Sequence, residues 1–489
     1  MSRRPARGSG LVRAAATSPI VSLIVVVLCA VIAFAGAAVP ALLDSARTAT
    51  VHAALDTLPR AAMDPTATLQ GAASPDSTSG GDPWALPDGT AAGIHHDLPE
   101  PLRSVLGDPE VFVVLDGQTS TPEPHEPAPS NRVEIALDPG IAGRVTITQG
   151  RLPTPTEIAT VAHPVVEVAL SQEASDALDW PVGQQRVLGF ADLPMTVELV
   201  GVYDAVDPDD DAWALRPTGL HPSADQSGLS DPVHLATAYA APEMLGRVGA
   251  WADQAVTTVW MPLRVGPVTG AQSARLAAQL RGFSATPQKF SVRLGSVYEP
   301  GLTFRSSAPA VLDEGGARGD AMTAVATLAA IGPLTVAIVA IAMAGRMLAS
   351  RRVGTVRVAR ARGASVPLLA GLLGGEGLVL GIVAAALGAV GAATLVGWAG
   401  AASWAVPAVV AVTPALAVPA AALNGAARTA RRDLGVADRP LRRRRLVVEA
   451  AIVVMSLAVI AVATTRPQGL TPVLLVMPPA VFAIACVVA

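Results

Sequence analysis

The chain of 489 residues is 51% apolar and only 15% charged, a richer apolar and poorer charged share than soluble domains carry. Its two cysteines, Cys29 and Cys486, both lie in apolar runs, which excludes a disulfide framework and a thiolate zinc cluster. The net charge is only −4, yet residues 44–320 hold 16 Lys+Arg against 35 Asp+Glu while the rest holds 19 arginines against 4 acids.

The chain opens on a basic segment, 1–19, expected to be cytoplasmic. A bilayer core about 30 Å thick takes roughly 20 helical residues. Six apolar runs approach that length, at 20–43, 322–348, 368–396, 407–423, 446–463 and 472–489. With a cytoplasmic N-terminus, alternate crossings put the arginine clusters at 3–13, 346–362 and 428–445 all inside, leaving Arg466 alone outside. That is the positive-inside arrangement, so a multi-pass protein of the cell membrane is expected, with the lipid bilayer as a partner. The first run also has the basic start and small residues of a signal peptide, but its length favours an anchor.

Residues 44–320 form the expected extracytoplasmic domain. The segment 44–60 reads as a helical stalk with Val51, Leu55 and Leu58 on one side. The Pro-, Gly- and Ser-rich stretches 64–100 and 119–130 are expected to supply no core. Strand-like runs follow at 111–115, 133–137, 144–148, 165–170, 186–190, 196–202 and 255–263, with helices at 171–179 and 270–281. The expected fold class is therefore a membrane α-helical bundle with a large mixed α/β domain between the first and second spans.

Chemistry-bearing motifs are scarce. A P-loop needs a lysine after its glycines, and the only lysine, Lys289, sits in Thr286-Pro-Gln-Lys-Phe. Any ATPase must be a separate polypeptide. Neither a nucleophile elbow nor a zincin helix appears, so the chain is not expected to be an enzyme and no cofactor or catalytic residue is assigned. Asp207-Pro-Asp209-Asp210-Asp211 alternates like a calcium loop, but Ala212 and Thr218 occupy its glycine and glutamate positions. A solvated acidic turn is the better reading there. His95-His96-Asp97 reads as an exposed polar stretch, so no metal ligands are assigned, and no nucleic-acid partner is expected.

The informative segment is the expected cytoplasmic connection 349–367. It carries Arg351, Arg352, Arg357, Arg360 and Arg362, followed by Gly363, Ala364 and Ser365. Val353, Val356, Arg357 and Arg360 share a helical face, so the helix is not cleanly amphipathic. Glu376, the one acid in the third run, is expected in the membrane or at its cytoplasmic surface. Gly371-x-x-x-Gly375 and Gly377-x-x-x-Gly381 could each permit close helix packing.

Arg360-Ala361-Arg362-Gly363-Ala364-Ser365 with Gly375-Glu376-Gly377 resembles the coupling helix and third span of FtsX-like ABC permeases. Gly150-Arg-Leu-Pro153, Glu167-Val-Ala-Leu-Ser171, Val182-Gly183 and Val200-Gly-Val-Tyr203 are similar to the MacB-like periplasmic core of actinobacterial members. The family often has an acid near Thr355, which this sequence lacks. The resemblance implies a permease that transmits force from a partner ABC-type ATPase through Arg351, Arg352, Arg357, Arg360, Arg362, Gly363, Ala364 and Ser365. It also implies a second FtsX core, from a dimer or from a missing C-terminal half. The segment 428–445 is then a basic linker to two extra spans, and the chain stops inside the last of them. The alternative reading is a membrane-anchored sensor or scaffold that transports nothing.

Overall fold

The structure is a computed structural model and describes residues 19–73, 82–115, 120–122, 131–156, 165–190, 193–225, 233–294, 296–350 and 353–433. The expected spans at 446–463 and 472–489, residues 434–445 of the basic linker, the N-terminal residues 1–18 and most of the 119–130 linker lie outside the described residues.

The described α-helices of five residues or more, in chain order, are α1 (Pro19–Leu55), α2 (Ala85–His96), α3 (Gln172–Ala177), α4 (Asp211–Leu215), α5 (Ser273–Ala285), α6 (Ala308–Ser350), α7 (Val353–Ala361), α8 (Val366–Leu395) and α9 (Ala405–Asp433). Among the described residues, three segments are long and apolar enough to cross a membrane: Ser22–Leu55, Val366–Leu395 and Gly400–Leu423. They cover the first, third and fourth expected spans, and the backbone of α6 is helical throughout the second, 322–348.

The chain divides into two compact units, one of Met1–Arg47 with Gly319–Ala489 and one of Thr48–Arg318. In the second unit, eleven described strands form one mixed sheet. They are β1 (Thr66–Gln70), β2 (Glu110–Leu115), β3 (Ser120–Pro122), β4 (Arg132–Leu137), β5 (Val145–Gly150), β6 (Val165–Ser171), β7 (Gln185–Phe190), β8 (Leu193–Ala205), β9 (Ser223–Asp225), β10 (Val233–Ala240) and β11 (Ala255–Trp260). The order is β1-β11-β2-β4-β10-β6-β8-β7-β3, with β5 on β8 and β9 on β10. Only β10–β4 and β6–β8 are parallel.

One face of the sheet carries the main core, where Leu102, Leu106, Trp180, Phe290 and Phe304 are buried together. Each such side chain contributes about 1.5–3 kcal/mol by leaving water. α1 runs on to Leu55, and its Val51 and Leu55 are buried in this core, with Leu58 packed against it. The start of α6 lies against the same turns, and a Cβ added at Gly315 would sit 3.3 Å from both Val51 Cα and Ala54 Cβ. The segments entering and leaving the sheet are tied together. Thr66 and Arg305 exchange backbone hydrogen bonds of 3.0 and 2.8 Å, and the Ser307 N–H donates to the Ala62 carbonyl at 2.8 Å.

The expectation that 64–100 supplies no core is overturned. Thr66–Gln70 pairs antiparallel with β11, and Trp84, Ala91 and Leu98 are buried in the main core. A segment poor in apolar residues can still contribute the few it has once a neighbouring strand satisfies its backbone. The Trp84 indole N–H, for example, donates to the Pro242 carbonyl at 2.9 Å.

Candidate functional site

The arginine-bearing connection is a helix closed by a sharp turn. In α7, Val356 is buried and Val353 and Ala359 are partly buried, so three apolar positions at a spacing of three line one side. They rest on Leu369 and Leu373 of α8 and on Val418 and Ala422 of α9. Arg357, Arg360 and Arg362 are exposed. This corrects the expectation of a poorly amphipathic helix, because Arg357 and Arg360 flank the stripe and their long stems carry the charge clear of it. Arg351 and Arg352 lie outside the described residues.

The helix stops through its backbone. Gly363 sits at φ +88°, its N–H donating to the Arg360 carbonyl at 3.0 Å, and the next N–H, of Ala364, reaches back to the Ala359 carbonyl at 3.0 Å. This is a Schellman closure, with glycine in the left-handed position and Ala364 packed beside Ala359. Gly363 serves the turn and not a close approach, since a Cβ there would meet nothing within 4 Å. Ser365 then opens α8 as its N-cap in extended backbone, without a capping bond from its hydroxyl. Arg360 to Ser365 is thus one device that ends a helix, exposes two guanidinium groups and starts the next helix.

The helix that follows is closely packed. A Cβ at Gly377 would collide with the Pro414 carbonyl of α9, and one at Gly381 with the carbonyl of Ala411. Gly371 and Gly375 face open space. Only the second of the two glycine motifs is therefore a packing face. Glu376 is 5% exposed, which places it inside the helix packing rather than on an outer surface.

In the Thr48–Arg318 unit, the short motifs scattered along the sequence converge on β8. Gly150 pairs with Gly201, and a side chain at either would strike the backbone beside the other, at Val200 or Arg151. The Gly183 N–H donates to the Leu199 carbonyl at 2.7 Å. Arg151 grips Glu167 at 2.5 and 2.6 Å, and Thr154 adds bonds of 2.8 and 2.7 Å. The Arg151 bonds hold the Glu167 carboxyl down at about 2.

The acidic turn is also structural. Asp210 caps α4, accepting from the Ala212 N–H at 2.9 Å and facing Arg144 at 3.7 Å, while Asp211 pairs with Arg60 at 3.1 Å. Behind it lies a buried ionic network that the sequence did not reveal. Arg144 binds Glu110 at 2.7 and 2.6 Å and Asp138 at 3.2 Å, and Asp138 is also bonded to Arg216. Arg216 lies over the Phe112 ring, 4.0 Å from its centroid. Burial pushes the Glu110 carboxyl up, against the pull of Arg144. His95 Nε2 meets the Leu106 carbonyl at 3.3 Å, and no group of three or more His, Cys, Asp or Glu among the described residues could hold a metal ion.

The functional residues assigned from the sequence, apart from Arg351 and Arg352, thus lie in one turn, with Glu376 ten residues into α8. What the sequence did not assign is the seating role of Val353, Val356 and Ala359 beneath that turn, and the Asp138–Arg216 pair. The valine spacing was visible; the pair, 78 positions apart, had no local signal. No protein-family model matches the chain, and no curated protein is significantly similar to it.

Proposed function

We propose that the chain is the membrane-spanning permease subunit of an FtsX/MacB-type ABC transporter, with its ATPase on a separate polypeptide and its α/β unit outside the cell. The observation that carries this reading is the α7 turn, a short amphipathic helix whose apolar stripe is seated on α8 and α9 while its arginines face outward. Force applied to such a helix is passed directly to the helices beneath it. The close Gly377 and Gly381 contacts make α8 and α9 move together, since an interface packed backbone to backbone has little room to slide.

The order of parts agrees with this role. Within Thr48–Arg318, the segments that follow the end of α1 at Leu55 and precede the start of α6 at Ala308 are hydrogen-bonded to one another. The charge split adds an orientation, with the arginine-rich turn inside and the acidic α/β unit outside. The same core from a second chain, or from a longer one, would complete the transporter.

The test is a pair of substitutions in the turn. Arg360→Glu removes a charge-assisted contact and should lower co-purification of the ATPase. Gly363→Val forces a β-branched residue into the left-handed region, at about 1–2 kcal/mol or more. It should leave association intact and reduce ATPase stimulation. Both variants should reach the membrane at the wild-type level. If both do so and neither alters association or stimulation, the turn is a topogenic charge cluster and the permease reading fails.

A further inference from the structure

Between Glu376 and Arg428 the sequence holds no charged residue at all, so no side-chain charge marks the bend of the α8–α9 hairpin. What it holds instead, at the bend, is two tryptophans. Trp398 and Trp404 are 36% and 58% exposed, and their rings meet edge to face with centroids 4.9 Å apart. Two glycines and a side-chain hydrogen bond shape the bend that presents them. Gly397 at φ +111° returns its N–H to the Ala392 carbonyl at 3.1 Å, Gly400 takes φ +62°, and the Ala399 N–H donates to the buried Ser403 hydroxyl at 3.1 Å.

From Val366 to Leu395, α8 rises about 44 Å at 1.5 Å per residue, against roughly 40–45 Å for a bilayer with its headgroup layers. With the arginine turn in one headgroup layer, the tryptophan bend falls in the other. Indole is suited to that layer, because its ring prefers apolar surroundings and its N–H needs a polar partner.

We propose that Trp398 and Trp404 form an interfacial anchor that docks the α8–α9 bend in the lipid headgroup layer opposite the arginine turn. The proposal rests on α8 and α9 spanning the membrane and is independent of any ATPase partner. The other five of the seven tryptophans, Trp84, Trp180, Trp213, Trp251 and Trp260, are buried in the Thr48–Arg318 unit at 7% exposure or less. Lipid-borne quenchers therefore report on the pair alone.

The experiment reconstitutes the full chain in phosphatidylcholine–phosphatidylglycerol vesicles and compares nitroxide on the headgroup with nitroxide at mid-chain. The headgroup probe should quench tryptophan emission at least twice as strongly as the mid-chain probe. That excess should vanish in the Trp398→Phe/Trp404→Phe double variant and fall by about half in each single variant, which serves if the double variant does not insert. Equal or stronger mid-chain quenching would put the pair in the hydrocarbon and overturn the proposal. So would an absence of quenching in vesicle-bound protein, which would mean that another protein segment or a second copy covers the pair. Failure of the chain to float with vesicles would instead overturn the membrane reading beneath it.

Discussion

Removing Asp138 should be more damaging than removing Arg216, one of the two arginines it holds. Asp138 accepts from Gly140 N–H at 2.8 Å, from Arg144 at 3.2 Å and from Arg216. In Asp138→Ala, Arg144 keeps its two bonds to Glu110, but Arg216 is left as a buried cation without a carboxylate. Stranding one partner of a buried pair costs about 3–5 kcal/mol. At about 2–4 °C per kcal/mol for a domain of this size, the melting temperature should fall on the order of 6–20 °C. Arg216→Met removes the cation, fills the space over Phe112 and leaves Asp138 with Arg144 and Gly140, for a loss of about 1–3 kcal/mol. The double variant should then be no less stable than Asp138→Ala alone, because the stranded charge has gone. The unpaired Gly140 N–H is common to both backgrounds and cancels in the cycle. The assay is thermal and denaturant unfolding of the full chain in mild detergent, followed by tryptophan emission, whose change on unfolding comes mainly from the five buried tryptophans. If the two single losses simply add in the double variant, the pair is not coupled and the buried network is not what holds β2, β4 and the acidic turn together.

Three further outcomes are expected. Gly381→Leu should destabilise the protein in detergent by about 1–3 kcal/mol, because its side chain meets the Ala411 backbone, while Gly375→Leu, facing open space, should melt as wild type does; equal effects would contradict the packing face. The Glu167 carboxyl is lowered in the folded state from the usual 4.5 to about 2, so its contribution is present above 4.5 and lost as the pH falls towards 2. Glu167→Gln should therefore melt lower than wild type at pH 7, with the gap closing across that window in parallel melts. In a background free of Cys29 and Cys486, cysteines placed at Ser104 and Ser365 should respond oppositely to a membrane-impermeant thiol reagent in intact cells; labelling at Ser365 but not at Ser104 would invert the orientation.

The sequence disclosed what local patterning controls. Every strand-like run it offered is a strand within a few residues, because alternating β-branched residues bounded by Gly, Pro or Asp leave little choice of conformation. It missed β10, which lies centrally between β4 and β6. The Val233–Ala240 strand buries Ala236, Ala238 and Ala240, and alanine carries no strand signal; pairing with β4 and β6 on its two sides, not propensity, makes it a strand. It missed β1 and α2 because their few apolar residues are diluted by turn formers. At the turn, the residue types at 360–365 were legible. Which glycine motif packs was not, since Gly371 and Gly377 differ only in the face of α8 they occupy, and that is set by α9. The Asp138–Arg216 pairing is wholly tertiary.

The central claim, that this chain is driven by a separate ATPase through the α7 turn, is tested most directly by affinity purification of the full chain from its native membrane in mild detergent, with ATP hydrolysis measured on the eluate. The account predicts a stoichiometric P-loop ATPase whose hydrolysis rate changes when Arg360→Glu replaces the wild-type chain. A chain recovered intact and folded with no such ATPase would contradict it and leave a membrane-anchored sensor or scaffold as the reading.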